Sequence, residues 1–317
     1  GRIRFFLKEN PHRGIWHTQQ VARNGLIHAV LCGTEFENRG YRYWGEPAYE
    51  QWIGSGSQLL PALAIPGRAA AALTGSRFIT MIDSLSPEVR EEAIWQELRL
   101  GNLPDFLRRP VLLERKWADA AGETHQVVFA ALPDYLAIGS DADFVRMPMT
   151  PFTAQRAADL FGAILPTRKL VDAIYAAAET RLTPQPIPPD GDRNERPRTF
   201  LAHQHQVEKA LLMAGGVHGR LTAGHKKDIV LSNLIADPQR PGHVVIYGWH
   251  RPDARPIQPL TNIHIGRYAD YSHGVRLICA SVLVDGVPWQ VERLLADPLL
   301  YALFSDEEGV MTQRRYP

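Results

Sequence analysis

Apolar positions in this chain recur with a helical period in five stretches, and short β-branched runs lie between them. The first helix opens at Ser86-Pro87-Glu88. There serine can cap, proline loses no needed donor, and an acid meets the positive end of the helix dipole. Val89, Ala93, Ile94 and Leu98 follow as an expected buried stripe, and Gly101 ends it. Thr150-Pro151 opens the second helix, with Ala154, Ala157, Ala158, Phe161 and Ile164 inward and Pro166 as the break. Thr167 caps the third, which turns Leu170, Val171, Ile174 and Ala178 inward. A fourth is predicted over residues 202–214, and a last, amphipathic one over 291–304.

Residues 126–132, 135–139, 228–231 and 243–249 are apolar and β-branched enough for strands. Residues 276–284 and 287–291 are expected to pair in a hairpin around Asp285-Gly286, a dipeptide that accepts positive φ. Between 182 and 198 stand Pro184, Pro186, Pro188, Pro189 and Pro197, around Asp190-Gly191-Asp192. Proline has no amide donor and a fixed φ, so this segment is expected to be a loop, linker or lid. Residues 1–73 have poor periodicity, many turn formers and three of the seven tryptophans (Trp16, Trp44, Trp52). They read as an irregular extension on a main domain at 74–317. Helices and strands mix without strict alternation, so the expected fold is α+β, a mixed or antiparallel sheet flanked by helices.

Charge narrows the function classes. With 35 basic against 34 acidic residues the net charge is +1, which lacks the basic excess of a general nucleic-acid binder. No apolar run approaches the roughly 18–20 residues that cross a bilayer. Cys32 and Cys279 are too few for a disulfide scaffold or a cysteine zinc site, and read as two separate buried thiols.

Histidine distribution points to chemistry. Eight of twelve histidines (His203, His205, His218, His225, His243, His250, His264, His273) fall between 203 and 273, where even spreading would put about three. Imidazole exchanges protons near neutral pH and is a common metal ligand. Three clusters stand out. Gly224-His225-Lys226-Lys227-Asp228 precedes a strand, and alternation sends His225 and Lys227 to one side, Lys226 and Asp228 to the other. Val244 to His250 delivers Tyr247, Trp249 and His250 to the end of an apolar strand. Tyr268-Ala269-Asp270-Tyr271-Ser272-His273-Gly274-Val275-Arg276 brings a carboxylate, a hydroxyl, an imidazole and a guanidinium together, the parts acyl transfer requires.

Upstream, Asp141, Asp143 and Arg146 could position a substrate or form an ion-paired turn. Arg168 and Lys169 sit in a helix's first turn, where the dipole disfavours cations, so an anionic partner or a pair with Asp141 or Asp143 is expected. His203-Gln204-His205 has metal-ligand spacing only in extended backbone; on a helix its histidines point about 200° apart. Asp228 and His250 would complete a zinc set with them.

Ser272-His273-Gly274-Val275-Arg276-Leu277 resembles the Ser-His-Gly-Cys-x-Arg signature of bacterial cell-wall L,D-transpeptidases, with His250 matching their upstream strand histidine. Val275 stands where that family has its nucleophilic cysteine, and Arg276 comes one residue early. That cysteine chemistry is therefore not carried over. Residues 74–310 also resemble a group of bacterial proteins of unassigned activity, some exported. The shared segments are Gly101-Asn102-Leu103-Pro104-Asp105-Phe106-Leu107, Pro133-Asp134-Tyr135-Leu136-Ala137-Ile138-Gly139-Ser140-Asp141 running on through Asp143-Phe144, Leu165-Pro166-Thr167-Arg168-Lys169 and the three clusters above. The resemblance implies a secreted or periplasmic setting.

The leading expectation is a hydrolase or acyl-transferase acting on an envelope or extracellular polymer, without cofactor. His225, Asp228, His250, Asp270, Ser272 and His273 would be its catalytic centre. Asp141, Asp143, Arg146, Arg168, Lys227, Trp249, Tyr271 and Arg276 would bind substrate. Two alternatives stand beside it: a zinc-dependent hydrolase using His203 and His205, and a non-catalytic glycan or peptide binder stacking its ligand on Tyr247, Trp249, Tyr268 and Tyr271.

Overall fold

The computed structural model describes residues 63–317 and three short strands nearer the N-terminus, β1 (Leu7–Asn10), β2 (Ile15–Gln19) and β3 (His28–Val30), paired antiparallel. The remainder of the expected N-terminal extension, and any Cys32–Cys279 pairing, lie outside the described residues. The main helices are α1 (Gly75–Ile82), α2 (Pro87–Arg99), α3 (Pro151–Phe161), α4 (Arg168–Ala177) and α5 (Pro197–Met213). Strands β4 (Val111–Ala118), β5 (Thr124–Ala131), β6 (Ala137–Ser140) and β7 (Asp143–Arg146) precede α3. Short strands β8 (Ala163–Ile164) and β9 (Thr180–Arg181) flank α4. After α5 come β10 (Thr222–Ala223), β11 (Lys227–Ile229), β12 (His243–His250), β13 (Pro256–Ile265) and β14 (His273–Gly274). The chain then runs through β15 (Ile278–Cys279), β16 (Ser281–Val284) and β17 (Val287–Gln290) into α6 (Val291–Leu295) and α7 (Tyr301–Phe304).

Two sheets organise the molecule. One has the order β17-β16-β5-β15-β8, with β4 also on β5, and all its pairs are antiparallel. The other has the order β13-β12-β11-β14 and is mixed, since β11 and β14 run parallel. The fold is α+β. Phe78, Ile94, Phe129, Phe161, Leu170 and Phe304 belong to one continuous buried core between the sheets and helices. No helix among the described residues is long and apolar enough to cross a membrane.

The capping logic holds at three helices: Ser86, Thr150 and Thr167 each accept a backbone N–H three residues on. Asp285 and Gly286 take φ of 52° and 76° between β16 and β17, as the hairpin requires. Elsewhere the pattern misleads. Val89, expected inside, is 53% exposed, because α2 turns Arg90, Ile94 and Leu98 inward. The second helix stops at Phe161 rather than Pro166, since Gly162 adopts a left-handed cap and Ile164 joins β8. The expected last helix is two: the Asp297 carboxylate accepts Leu299 N and Leu300 N, both at 2.9 Å, and Pro298 supplies no donor. α5 starts five residues earlier than expected, with Pro197 in its first turn.

The proline-rich segment is a strap over the second sheet's loops. Ile187 N donates to the Tyr271 hydroxyl (2.6 Å), Tyr271 N donates to Asn194 O (3.0 Å), and Arg90 Nη1 donates to Glu195 O (2.8 Å).

Candidate functional site

Register on the second sheet places the first group. Asp228 pairs with Tyr247 and Lys227 with Gly248, so Asp228 and Tyr247 share the face against which α4 packs. Strict alternation would send His250 to the opposite face. Instead Gly248 (φ 108°) and Trp249 (φ 59°) take positive φ inside the strand, just after a register shift between Ile246 and Gly248. Trp249 turns to the other face, where the Lys227 ammonium lies 5.1 Å from its ring centre. His250 returns to the face of Tyr247. A non-glycine residue at positive φ costs energy unless its surroundings hold it, so this kink is a strained aiming device.

The Asp172 carboxylate on α4 takes the Tyr247 hydroxyl and His250 Nε2, each at 2.9 Å. The Tyr175 ring stacks on the imidazole at 4.4 Å. With Nε2–H given to a carboxylate, Nδ1 is the ring nitrogen left to exchange a proton. Asp228 accepts the Tyr135 hydroxyl at 2.9 Å and makes no ion pair among the described residues. Burial pushes its carboxyl up to about 6, against the pull of Arg276 and the Tyr135 hydrogen bond. Arg276, 1% exposed, stacks 4.4 Å over Tyr135 and donates to Leu132 O (2.7 Å) and Thr222 O (2.6 Å). Tyr135, Tyr175, Gly224, Asp228, His250 and Arg276 line one cavity of about 10 Å³, room for about one water molecule. A side chain at Gly224 would meet Leu182 O at 2.5 Å, which is why that turn needs glycine.

A second buried group stands behind it. Asp134 binds Arg146 Nη2 at 2.7 Å and Arg146 Nε at 3.0 Å, and takes His225 Nε2 at 3.0 Å. Arg146 also reaches Glu208 at 2.6 Å and Gln204 at 3.0 Å. The guanidinium and the imidazole hold Asp134 well below the usual carboxylate range despite its burial. Burial lowers His225 to about 4.

The Asp270 group is a third arrangement. Asp270 accepts Ser272 N (2.8 Å), Ser272 Oγ (2.5 Å) and the Tyr268 hydroxyl (2.8 Å). His273 is buried with neither ring nitrogen partnered among the described residues, and burial lowers it to about 4. Ser272 therefore hydrogen-bonds no histidine. Its hydroxyl proton points at a carboxylate held below its ordinary range by His273, Lys227 and hydrogen bonds, which makes a poor base.

The structure thus brings together Asp228, His250 and Arg276 of the expected residues, and places Asp270, Ser272 and His273 in a separate group. His225 serves Asp134. Asp141 caps the turn at Asp105 N (2.6 Å), and Asp143 binds Ser76 N (2.9 Å) and Ser76 Oγ (2.5 Å); neither pairs with Arg146. Arg168 pairs with Asp306 at 2.7 Å, and Lys169 donates to Ala302 O, so the expected pairing with Asp141 or Asp143 is not made. His203 is buried on α5 while His205 is exposed, so the helix separates the expected zinc pair. Among the described residues, the group able to hold a metal is Asp119, Glu123 and His125, whose ligand atoms lie within 4.8 Å. There the ring of His125 already contacts Asp285 at 2.6 Å and Asp119 at 3.4 Å. Tyr247, Trp249 and Tyr271, the expected stacking rings, are only 7%, 5% and 3% exposed.

Sequence reasoning missed Asp134, Tyr135, Asp172, Tyr175 and Lys226. Asp172 reads as an ordinary polar position next to the apolar stripe of α4, and only the fold reveals its two partners. Lys226 was legible through alternation, which puts it on the side of Asp228. Neither a protein-family model, nor a curated protein, nor a solved structure matches this chain.

Proposed function

We propose that this protein is a hydrolase that cleaves an acyl bond in an envelope or extracellular polymer, with His250 as general base and Asp228 as general acid. One observation carries the reading: an imidazole fixed by Asp172 and a carboxyl that titrates near 6 line the same cleft. An imidazole and a carboxyl held at one cavity are a proton acceptor and a proton donor within reach of a single bond. His250 takes a proton from water at Nδ1 and Asp228 gives one to the leaving group. Arg276 and the Tyr135 hydroxyl supply positive potential for the oxyanion between them. The cavity, about 10 Å³, has room for about one water molecule, the nucleophile this reading requires. Ser272, bonded to Asp270, stands outside this mechanism.

The test uses purified bacterial sacculi, with released fragments read by mass spectrometry. Asp228→Asn and His250→Gln are expected to lower the rate by about 10²–10⁴-fold each, while Ser272→Ala keeps it. Loss of activity in Ser272→Ala with retention in His250→Gln would sink the assignment.

A further inference from the structure

Among the described residues, three buried side chains around Tyr271 leave hydrogen-bonding capacity unused. His203 is fully buried and neither ring nitrogen has a partner among the described residues. His225 gives Nε2 to Asp134 and leaves Nδ1 buried and unpartnered. Lys226, 2% exposed, makes one hydrogen bond, from Nζ to Tyr271 O at 2.5 Å, and no ion pair. An ammonium has three donors to place, and buried polar groups are nearly always satisfied. These atoms also belong together. His203 packs on the Tyr271 ring at 4.8 Å, Lys226 holds that residue's carbonyl, and His225 adjoins Lys226 in the chain. Each of the two cations, Lys226 and a protonated His225, would disfavour charge on His203, so the three share one field.

We propose that His203, His225 and Lys226 form an internal site for a carboxyl group, reached when the proline-rich strap releases Tyr271. The chemistry of the three side chains selects that ligand. The Lys226 ammonium and one N–H of His203 donate to the two oxygens. His225 Nδ1, a lone pair because Nε2–H is spent on Asp134, takes up a proton from solvent as the carboxylate enters and then donates to it. A halide presents a single atom where a carboxylate presents two oxygens to separate donors, and a cation is repelled by the Lys226 ammonium. Burial and then the Arg146 charge lower Lys226 to about 7 against the pull of Asp270 and Asp134, and a bound carboxylate relieves that cost. Access runs through the strap, whose Ile187 and Asn194 backbones bond the hydroxyl and amide of Tyr271. The site is independent of the hydrolytic reading, since it shares no residue with the cleft of Asp228 and His250.

The full chain, labelled with ¹⁵N-histidine, is titrated at pH 7 with sodium acetate, with sodium chloride at equal ionic strength, and with N-acetylalanine. Acetate is expected to shift the ring nitrogens of His203 and His225 saturably and to raise the unfolding midpoint, by about 5 °C at a hundredfold excess over Kd. Chloride should do neither. Tighter binding of N-acetylalanine assigns the site to a peptide-like carboxyl terminus; binding of acetate alone assigns it to a small free acid. Lys226→Met, which removes the charge and keeps the volume, should abolish the shifts, and His203→Gln gives the same readout should the methionine variant fail to fold. Equal shifts in chloride, no saturable shift, or shifts undiminished in both variants would overturn the proposal. Retained acetate binding in His250→Gln, whatever that variant's activity, separates this result from the test of hydrolysis.

Discussion

A carboxylate sealed inside a protein without a cation in contact is costly, and Asp228 is such a group. Its folded value of about 6 lies above the ordinary 3.8, so between these values the native state binds more protons than the unfolded chain. Stability therefore falls as pH rises through that window and stays reduced above it. Asp228→Asn should be more stable than the parent at pH 8, by up to about 3 kcal/mol, while losing activity. Urea unfolding at pH 8 decides it: an asparagine variant no more stable than the parent means that the site stores no such cost. Arg146 gives the opposite case. Removing its charge strands Asp134, so Arg146→Met should cost about 3–5 kcal/mol and leave little folded protein to assay. At this scale the sequence was a partial guide. The histidine excess pointed to residues 203–273, but which nitrogen meets which carboxylate depended on Asp134 and Asp172, lone acids without a motif.

At the scale of elements, caps and periodicity foretold most helices and the β16–β17 hairpin, because those signals are local. The aiming of His250 was not legible. Period-two reasoning puts it opposite Tyr247, and the reversal depends on Gly248 and Trp249 adopting positive φ inside a strand. Gly248 should accordingly be irreplaceable. A Cβ there would lie 3.4 Å from Val171 Cγ1 and 3.5 Å from both Asp228 Oδ2 and His250 Cε1, at a φ of 108° that L-residues rarely adopt. Gly248→Ala is expected to lose stability by about 1–3 kcal/mol and to lose activity beyond that, as the imidazole leaves Asp172. Denaturation and rate measured on the same sample check this; an unchanged rate at reduced stability would show that the kink does not position His250. The proline-rich run was readable as a loop, linker or lid from proline chemistry alone, but its attachment to Tyr271 joins residues 84 apart and needs the fold.

For the whole molecule, burial of neutral histidines sets the acid limit of stability. His203, His225 and His273 are all lowered by burial, so the unfolded chain binds their protons below about 6.5 while the native state does not. Stability therefore falls as pH drops from 6.5 toward 4. Asp228 opposes this with one proton, leaving about two net, or roughly 3 kcal/mol per pH unit near pH 5. Denaturant curves between pH 4 and 6.5 should show that slope, and a flat profile would mean that these rings are charged in the fold. The α+β class was visible from the mixture of periods, whereas the division of the chemistry into three buried groups was not, because it arises from parallel pairing of β11 with β14 and from α4 lying across β12. The central claim is that water, activated by His250 opposite Asp228, attacks the substrate. Digestion of sacculi in H₂¹⁸O tests it most directly. The parent and Ser272→Ala should place one ¹⁸O in each new carboxyl end, and Asp228→Asn and His250→Gln should release none. Labelled products from His250→Gln at the parent's rate would contradict the account.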